Sequence, residues 1–141
     1  MAFRKRVTYE TVQDVQYHNS IEITSVVIGG VRHFRAYSLL QAADPKLDAR
    51  LRKALVSTCA KYADTHKGAV LAKRHKLSDA WFFSRQFLGD VLTELKSGTK
   101  ASLEIESAMI LAKALENHNV EGTRRPVHII GKDGQEGNMD D

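Results

Sequence analysis

The sequence predicts an α+β fold: an N-terminal β-hairpin or small meander packed on about three helices. Three observations carry this. Two β-branched runs, Ile21 to Ile28 and Val31 to Tyr37, flank Gly29-Gly30, and a two-residue glycine turn between such runs is a strong hairpin signal because both turn residues need positive φ. Leu47, Leu51, Leu55, Cys59 and Tyr62 recur at helical spacing. Two further amphipathic stretches then carry helix caps and stops. A five-stranded OB barrel is not expected, since the pattern offers about three strands.

Taken in order, Val7, Tyr9, Val12, Val15 and Tyr17 alternate imperfectly and give one or two strands, with His18-Asn19-Ser20 as the turn into the hairpin. In the hairpin, Ile28 should pair with Val31, Val26 with His33, Thr24 with Arg35 and Glu22 with Tyr37. Asp44-Pro45 starts the first helix, an N-cap carboxylate followed by proline where its missing N–H is not needed. Residues 69–76 read as either helix or loop. Ser78 caps a second helix carrying Trp81, Phe82, Leu88, Val91, Leu92 and Leu95, stopped at Lys96-Ser97-Gly98. Thr99 or Ser102 starts a third, with Leu103, Met109, Ile110 and Leu115 inward. A short strand spans Val127 to Ile130. Residues 1–130 thus form one domain. Residues 131–141, with three glycines and four acids, form an acidic tail expected to be disordered.

A chain of 141 residues is long enough to bury a sizeable core. No apolar run approaches the ~20 residues of a membrane span, so no membrane partner is expected. The basic start, Met1 to Arg6, has no apolar run behind it and does not read as a signal peptide. The single cysteine, Cys59, sits on the apolar helix side and reads as a small core residue, which fits a cytoplasmic protein. No phosphate loop, nucleophile elbow or zinc-protease motif is present. The six histidines are scattered, and Glu104 and Glu106 point to different helix faces. The expectation is a protein that is not an enzyme and needs no metal or cofactor.

Charge is distributed unevenly. Residues 1–76 hold 14 Lys/Arg against 6 Asp/Glu, a net +8, whereas residues 77–141 hold 7 against 11, a net −4. Such asymmetry points to a polyanionic partner. Three constellations suit nucleic acid. The hairpin face holding Ile21, Ile23, Ser25, Val27, Arg32, Phe34 and Ala36 is the more apolar and should pack on the helices. The other face then presents His33, Arg35 and Tyr37 in a row, cation alternating with aromatic, as a splayed single strand requires. On the first helix, Lys46, Arg50, Lys53 and Lys61 fall within roughly 80° of one another, a basic ridge widened by Arg52 and Lys67. Lys73 and Arg74 add a second basic cluster, and Arg4, Lys5 and Arg6 a third. Bases would sit on Tyr37 and Phe34, with Arg32 beside them. Trp81-Phe82-Phe83 and Phe87 crowd one and a half turns of the second helix; Trp81 and Phe82 read as core or oligomer contact, with Phe83 or Phe87 exposed at a subunit interface.

A basic body followed by a Gly-rich acidic tail resembles the layout of single-stranded-DNA-binding proteins, in particular the compact ones encoded by podovirus-type phages, some of which also assist a phage RNA polymerase. The resemblance covers the whole chain as a layout and rests on no diagnostic motif; the Asp140-Asp141 ending also departs from the Pro-Phe ending of bacterial single-strand binders. It implies binding of single-stranded nucleic acid, DNA before RNA, in replication or transcription, and a tail that recruits replication or polymerase partners. The basic patches add the expectation that binding is sequence-tolerant, and the aromatic helix or a hairpin edge the expectation of a homo-oligomer. Two alternatives stand beside it: a duplex-DNA-binding transcriptional regulator using the Ser78–Leu95 helix, and a protein-binding adaptor or inhibitor.

Overall fold

The computed structural model describes residues 6–73, 77–117 and 125–132, with side chains described for 13–73 and 77–117. The expectations for Arg4, Lys5, Arg74 and residues 133–141, and for the side chain of Arg6, fall outside these.

The fold is α+β. Strands β1 (Arg6–His18), β2 (Ile21–Ile28) and β3 (Val31–Arg35) form an N-terminal meander, followed by α1 (Ala36–Ala43) and α2 (Ala49–Ala60). A second hairpin, β4 (Ala69–Lys73) and β5 (Ala80–Ser84), leads into α3 (Arg85–Glu94), α4 (Lys100–Glu116) and β6 (Arg125–Lys132). The strands pair antiparallel in the order β1-β2-β3-β5-β4-β6, and β6 returns to β1, so the sheet closes into a six-stranded barrel. With six strands and every pair antiparallel, it is not the five-stranded OB arrangement.

The turns that build the meander are where the sequence puts them. Asn19 and Ser20 adopt positive φ (51° and 63°), as do Gly29 and Gly30 (58° and 79°), the combination a tight two-residue hairpin turn demands. The β2–β3 register is the expected one, Ile28 opposite Val31 and Val26 opposite His33. It stops at Ser25 opposite Phe34, because β3 ends at Arg35 and residues 36 and 37 enter α1. The expected pairs Thr24–Arg35 and Glu22–Tyr37 are therefore not formed.

Closure changes the meaning of the two hairpin faces. Val26 and Ile28 join Val70, Ala72, Ala80 and Phe82 in an apolar cluster lining the barrel. Ala72 and Ala80 stand opposite one another and leave room for the Phe82 ring. On the outer face, Ile23, Phe34, Ala69 and Phe83 lie beneath the helices, packed with Leu39, Leu55, Phe87, Val91, Ile105 and Leu115. Phe34, Phe82, Phe83 and Phe87 are fully buried. Each contributes roughly 1.5–3 kcal/mol relative to exposure.

Several elements differ from the sequence reading. The second predicted helix begins as strand β5, and its cap is Ser84, whose Oγ accepts from the Phe87 N–H at 3.1 Å. Phe83 and Phe87 are thus core rings, not exposed ones, and cannot form the expected subunit interface. Residues 69–73 are a strand. The α2 helix starts at Ala49, with Asp48 accepting from the Arg50 N–H at 3.1 Å, while Asp44 accepts from the Lys46 N–H in the turn before it. Within α2, Leu51 is exposed and Arg52 is buried. The third helix is capped by Thr99 as expected, but Leu103 and Ile110 face solvent. Its inward residues are Ile105, Ala108, Leu111, Ala112 and Leu115. The C-terminal strand runs past Ile130 to Lys132. Cys59 is core, its thiol pushed up to about 12 by burial and so unreactive. Among the described residues, no helix is long and apolar enough to cross a membrane, and no three His, Cys, Asp or Glu side chains converge on a metal position.

Candidate nucleic-acid interface

The β3–α1 junction, α2 and the start of β5 enclose a cleft of about 360 Å³ lined by Arg35, Tyr37, Lys53, Val56, Ser57, Ser78, Asp79, Ala80 and Trp81. Three of the expected binding residues, Arg35, Tyr37 and Lys53, meet here. Each arrives from a different local structure. Arg35 is the last residue of β3, opposite Phe82 in the ladder. Tyr37 lies in the first turn of α1. Lys53 lies on the solvent side of α2.

Buried Arg52 organises this cleft from behind. Its Nη1 donates to the Tyr37 hydroxyl at 3.1 Å and its Nη2 to the Leu47 carbonyl at 2.6 Å, tying α1, the connecting turn and α2 together. Its guanidinium carbon lies 5.1 Å from the Tyr37 ring centroid, and that of Arg35 lies at 5.4 Å, both within cation–π range. Arg35 in turn donates to Ser38 Oγ at 2.6 Å. The expected widening of the basic ridge by Arg52 is therefore corrected: this cation positions an aromatic ring. Tyr37 is also occupied by two guanidinium groups, which leaves Trp81 as the ring of the cleft best placed to receive a base. Trp81 is half-buried and braced by Phe83, the ring centroids 6.2 Å apart.

Beyond the cleft, Arg50, Lys53 and Lys61 are exposed on one side of α2, and Lys46 is exposed in the preceding turn. Ser57 continues the same face into the cleft. Lys67 is exposed in the segment after α2, and Lys73 at the end of β4. The ridge is thus a surface of exposed cations, without ion-pair partners among the described residues, bordering a concave aromatic site.

The rest of the hairpin row does not present itself. His33 is buried in the barrel wall, its Nδ1–H donating to the Val31 carbonyl at 2.9 Å. Desolvation holds its imidazole below the ordinary value, and the hydrogen bond to Val31 only partly offsets this. Phe34 is fully buried under the helices. Neither can stack on a base. Arg32 is engaged on the outer face, donating to Asp14 Oδ2 at 3.0 Å and to Ser25 Oγ at 2.7 Å. For His33 the cause is closure, which turns the expected free face of the hairpin into the barrel lining; Phe34 and Arg32 lie on the face expected to pack on the helices, and Phe34 does so.

Sequence reasoning missed Trp81, Ser57, Ser78 and Asp79 as site residues. Trp81 was visible as an unusual aromatic but belonged to a supposed helix core; placing it on a strand start needs the β4–β5 pairing. Comparison with protein-family models, with curated proteins and with solved structures found no match, so the reading of this site rests on its own geometry.

Proposed function

We propose that the protein is a non-enzymatic, sequence-tolerant binder of single-stranded DNA, acting through this cleft and the α2 ridge. The observation that carries the reading is the meeting of Arg35, Lys53 and Trp81 around a cavity of about 360 Å³, near the lower end of ligand-site volumes and suited to one nucleotide at a time. A base entering it stacks on Trp81, which requires that it first leave a duplex stack. Phosphates on either side lie against Lys46, Arg50, Lys53 and Lys61. Point charges of this kind track a backbone and read little sequence. A role in replication, or in assisting a phage RNA polymerase, follows from the resemblance in layout; a cytoplasmic location is supported by the single buried cysteine, Cys59. The duplex-regulator alternative has less support, since residues 80–84 are a buried strand and its expected helix is shortened to Arg85–Glu94.

Trp81 is the chain's one tryptophan, so its fluorescence reports on the cleft directly. Titration with a single-stranded oligonucleotide should quench it, at lower concentration than the matching duplex. The affinity should fall steeply between about 50 and about 200 mM salt. Equal binding of both forms, or none at the lower salt, overturns the reading and leaves the adaptor alternative.

A further inference from the structure

The outward face of α4 carries large apolar side chains that no described residue covers. Leu103 is 54% exposed and Ile110 61%, whereas the opposite face of the same helix is buried through Ile105, Ala108, Ala112 and Leu115. At 100° per residue, Leu103, Ser107, Ile110 and Ala114 fall within about 60° of one another. They form a narrow stripe in which two large apolar residues alternate with two small ones. Small residues between large ones let a second helix approach closely and give its knobs somewhere to sit.

The charges beside the stripe say what approaches. Glu106 and Lys113 flank it on the same side, about 20° apart around the helix. Both are exposed, and among the described residues neither has an ion-pair partner. In a two-fold antiparallel pair of helices the same flanks of both copies meet. With the axis level with Met109, Glu106 lies about 4.5 Å along the helix on one side and Lys113 about 6 Å on the other. Glu106 of each copy then comes level with Lys113 of the other, twice over. In the same register Leu103 falls against Ala114, and Ile110 against Ile110 and Ser107 of the other copy. The stripe is complementary to itself in shape and charge, as an isologous contact must be.

We propose that the protein self-associates as an antiparallel dimer through α4. This face is distinct from the α2 ridge and the Trp81 cleft, and the inference stands whether or not those bind DNA. A single helix pair buries well under the roughly 1,600 Å² of a standard interface, so the dimer is expected to be weak, with a dissociation constant on the order of micromolar.

Sedimentation velocity from about 1 to about 300 μM tests this. The wild-type protein should pass from monomer to dimer mass across that range. Glu106→Lys and Lys113→Glu should each weaken the dimer roughly tenfold or more, because each places like charges opposite one another. The double variant should recover wild-type association to within a few-fold, because the pairs are re-formed with signs exchanged. Leu103→Gln with Ile110→Gln should leave a monomer whose thermal melt is unchanged, since both positions are exposed. A wild-type protein that is monomeric throughout overturns the proposal and leaves the stripe to a partner of different sequence. A dimer indifferent to the charge reversals, or not restored by the double variant, overturns it in favour of another surface.

Discussion

The β2–β3 hairpin and helix α2 look alike in sequence: each interleaves cations with apolar or aromatic residues. In the molecule they serve opposite ends. The hairpin is wrapped into the barrel on one side and covered by helices on the other, so His33 and Phe34 are interior and Arg32 is held by Asp14. Helix α2 touches the body along one narrow side through Leu55 and Cys59, and most of its circumference stays in water. A strand in a covered barrel keeps little free surface, here chiefly at Val27 and Val31 beside the turn, while a helix on a surface has most of its faces free. Charge on the first tends to be structural and charge on the second available.

The largest effect should come from breaking the hairpin side. Phe34→Ala empties a fully buried position between β3 and the helices and should cost about 3–5 kcal/mol of stability by urea unfolding. Leu51→Ala, on the exposed side of α2, should stay within about 0.5 kcal/mol. Next in size is the cleft. Trp81→Leu should weaken single-strand binding by about 1–3 kcal/mol in a gel-shift assay, the worth of one stacked base. An affinity left unchanged would remove Trp81 from the interface. Arg50→Glu with Lys53→Glu should weaken binding for all sequences alike and lower the salt-dependence slope by about one unit for each cation lost, with the melting temperature unmoved. Loss for some sequences only would indicate base readout.

The smallest effect sharpens the comparison from the barrel interior. Burial keeps the folded His33 imidazole below its ordinary value, so on acidification the unfolded chain takes up a proton before the folded one does. The stability that neutral His33 contributes is complete above about pH 6.5 and is lost as pH falls toward the folded value. His33→Gln should flatten this acid limb between pH 7 and 5. A limb of the same slope in the variant would assign it to other groups.

These contrasts also show where the sequence was legible. Local chemistry was readable: Gly29-Gly30 set the hairpin register, and Thr99 capped α4. What failed depended on partners distant in sequence. Ala80 to Ser84 is buried on nearly every residue, so it shows no alternation and passed for the start of a helix core. The α1 segment, Ala36–Ala43, buries residues around most of its circumference and lacks a polar stripe to mark it. In α2 and α4 the apolar residues themselves misled. Leu51, Leu103 and Ile110 are exposed, and the buried places are held by Arg52 and by small residues such as Ala108 and Ala112. For the site, Lys53, Arg35 and Tyr37 were identifiable by type, but the cleft that unites them with Trp81 exists only once β5 pairs with β3.

The return of β6 to β1 carries a consequence for how the molecule is made. β1 has its first neighbour, β2, within a few residues, but its other edge waits for Arg125–Lys132, roughly a hundred residues later. At synthesis rates of about 5–20 residues per second, that edge stands open for about 5–20 s on the ribosome. Throughout the wait β1 offers unpaired N–H and C=O groups to any passing strand. The step that closes the ring joins the most distant parts of the chain, so it should set the folding rate. Nascent chains stalled before Arg125 should be the species most prone to aggregate and the most dependent on chaperones.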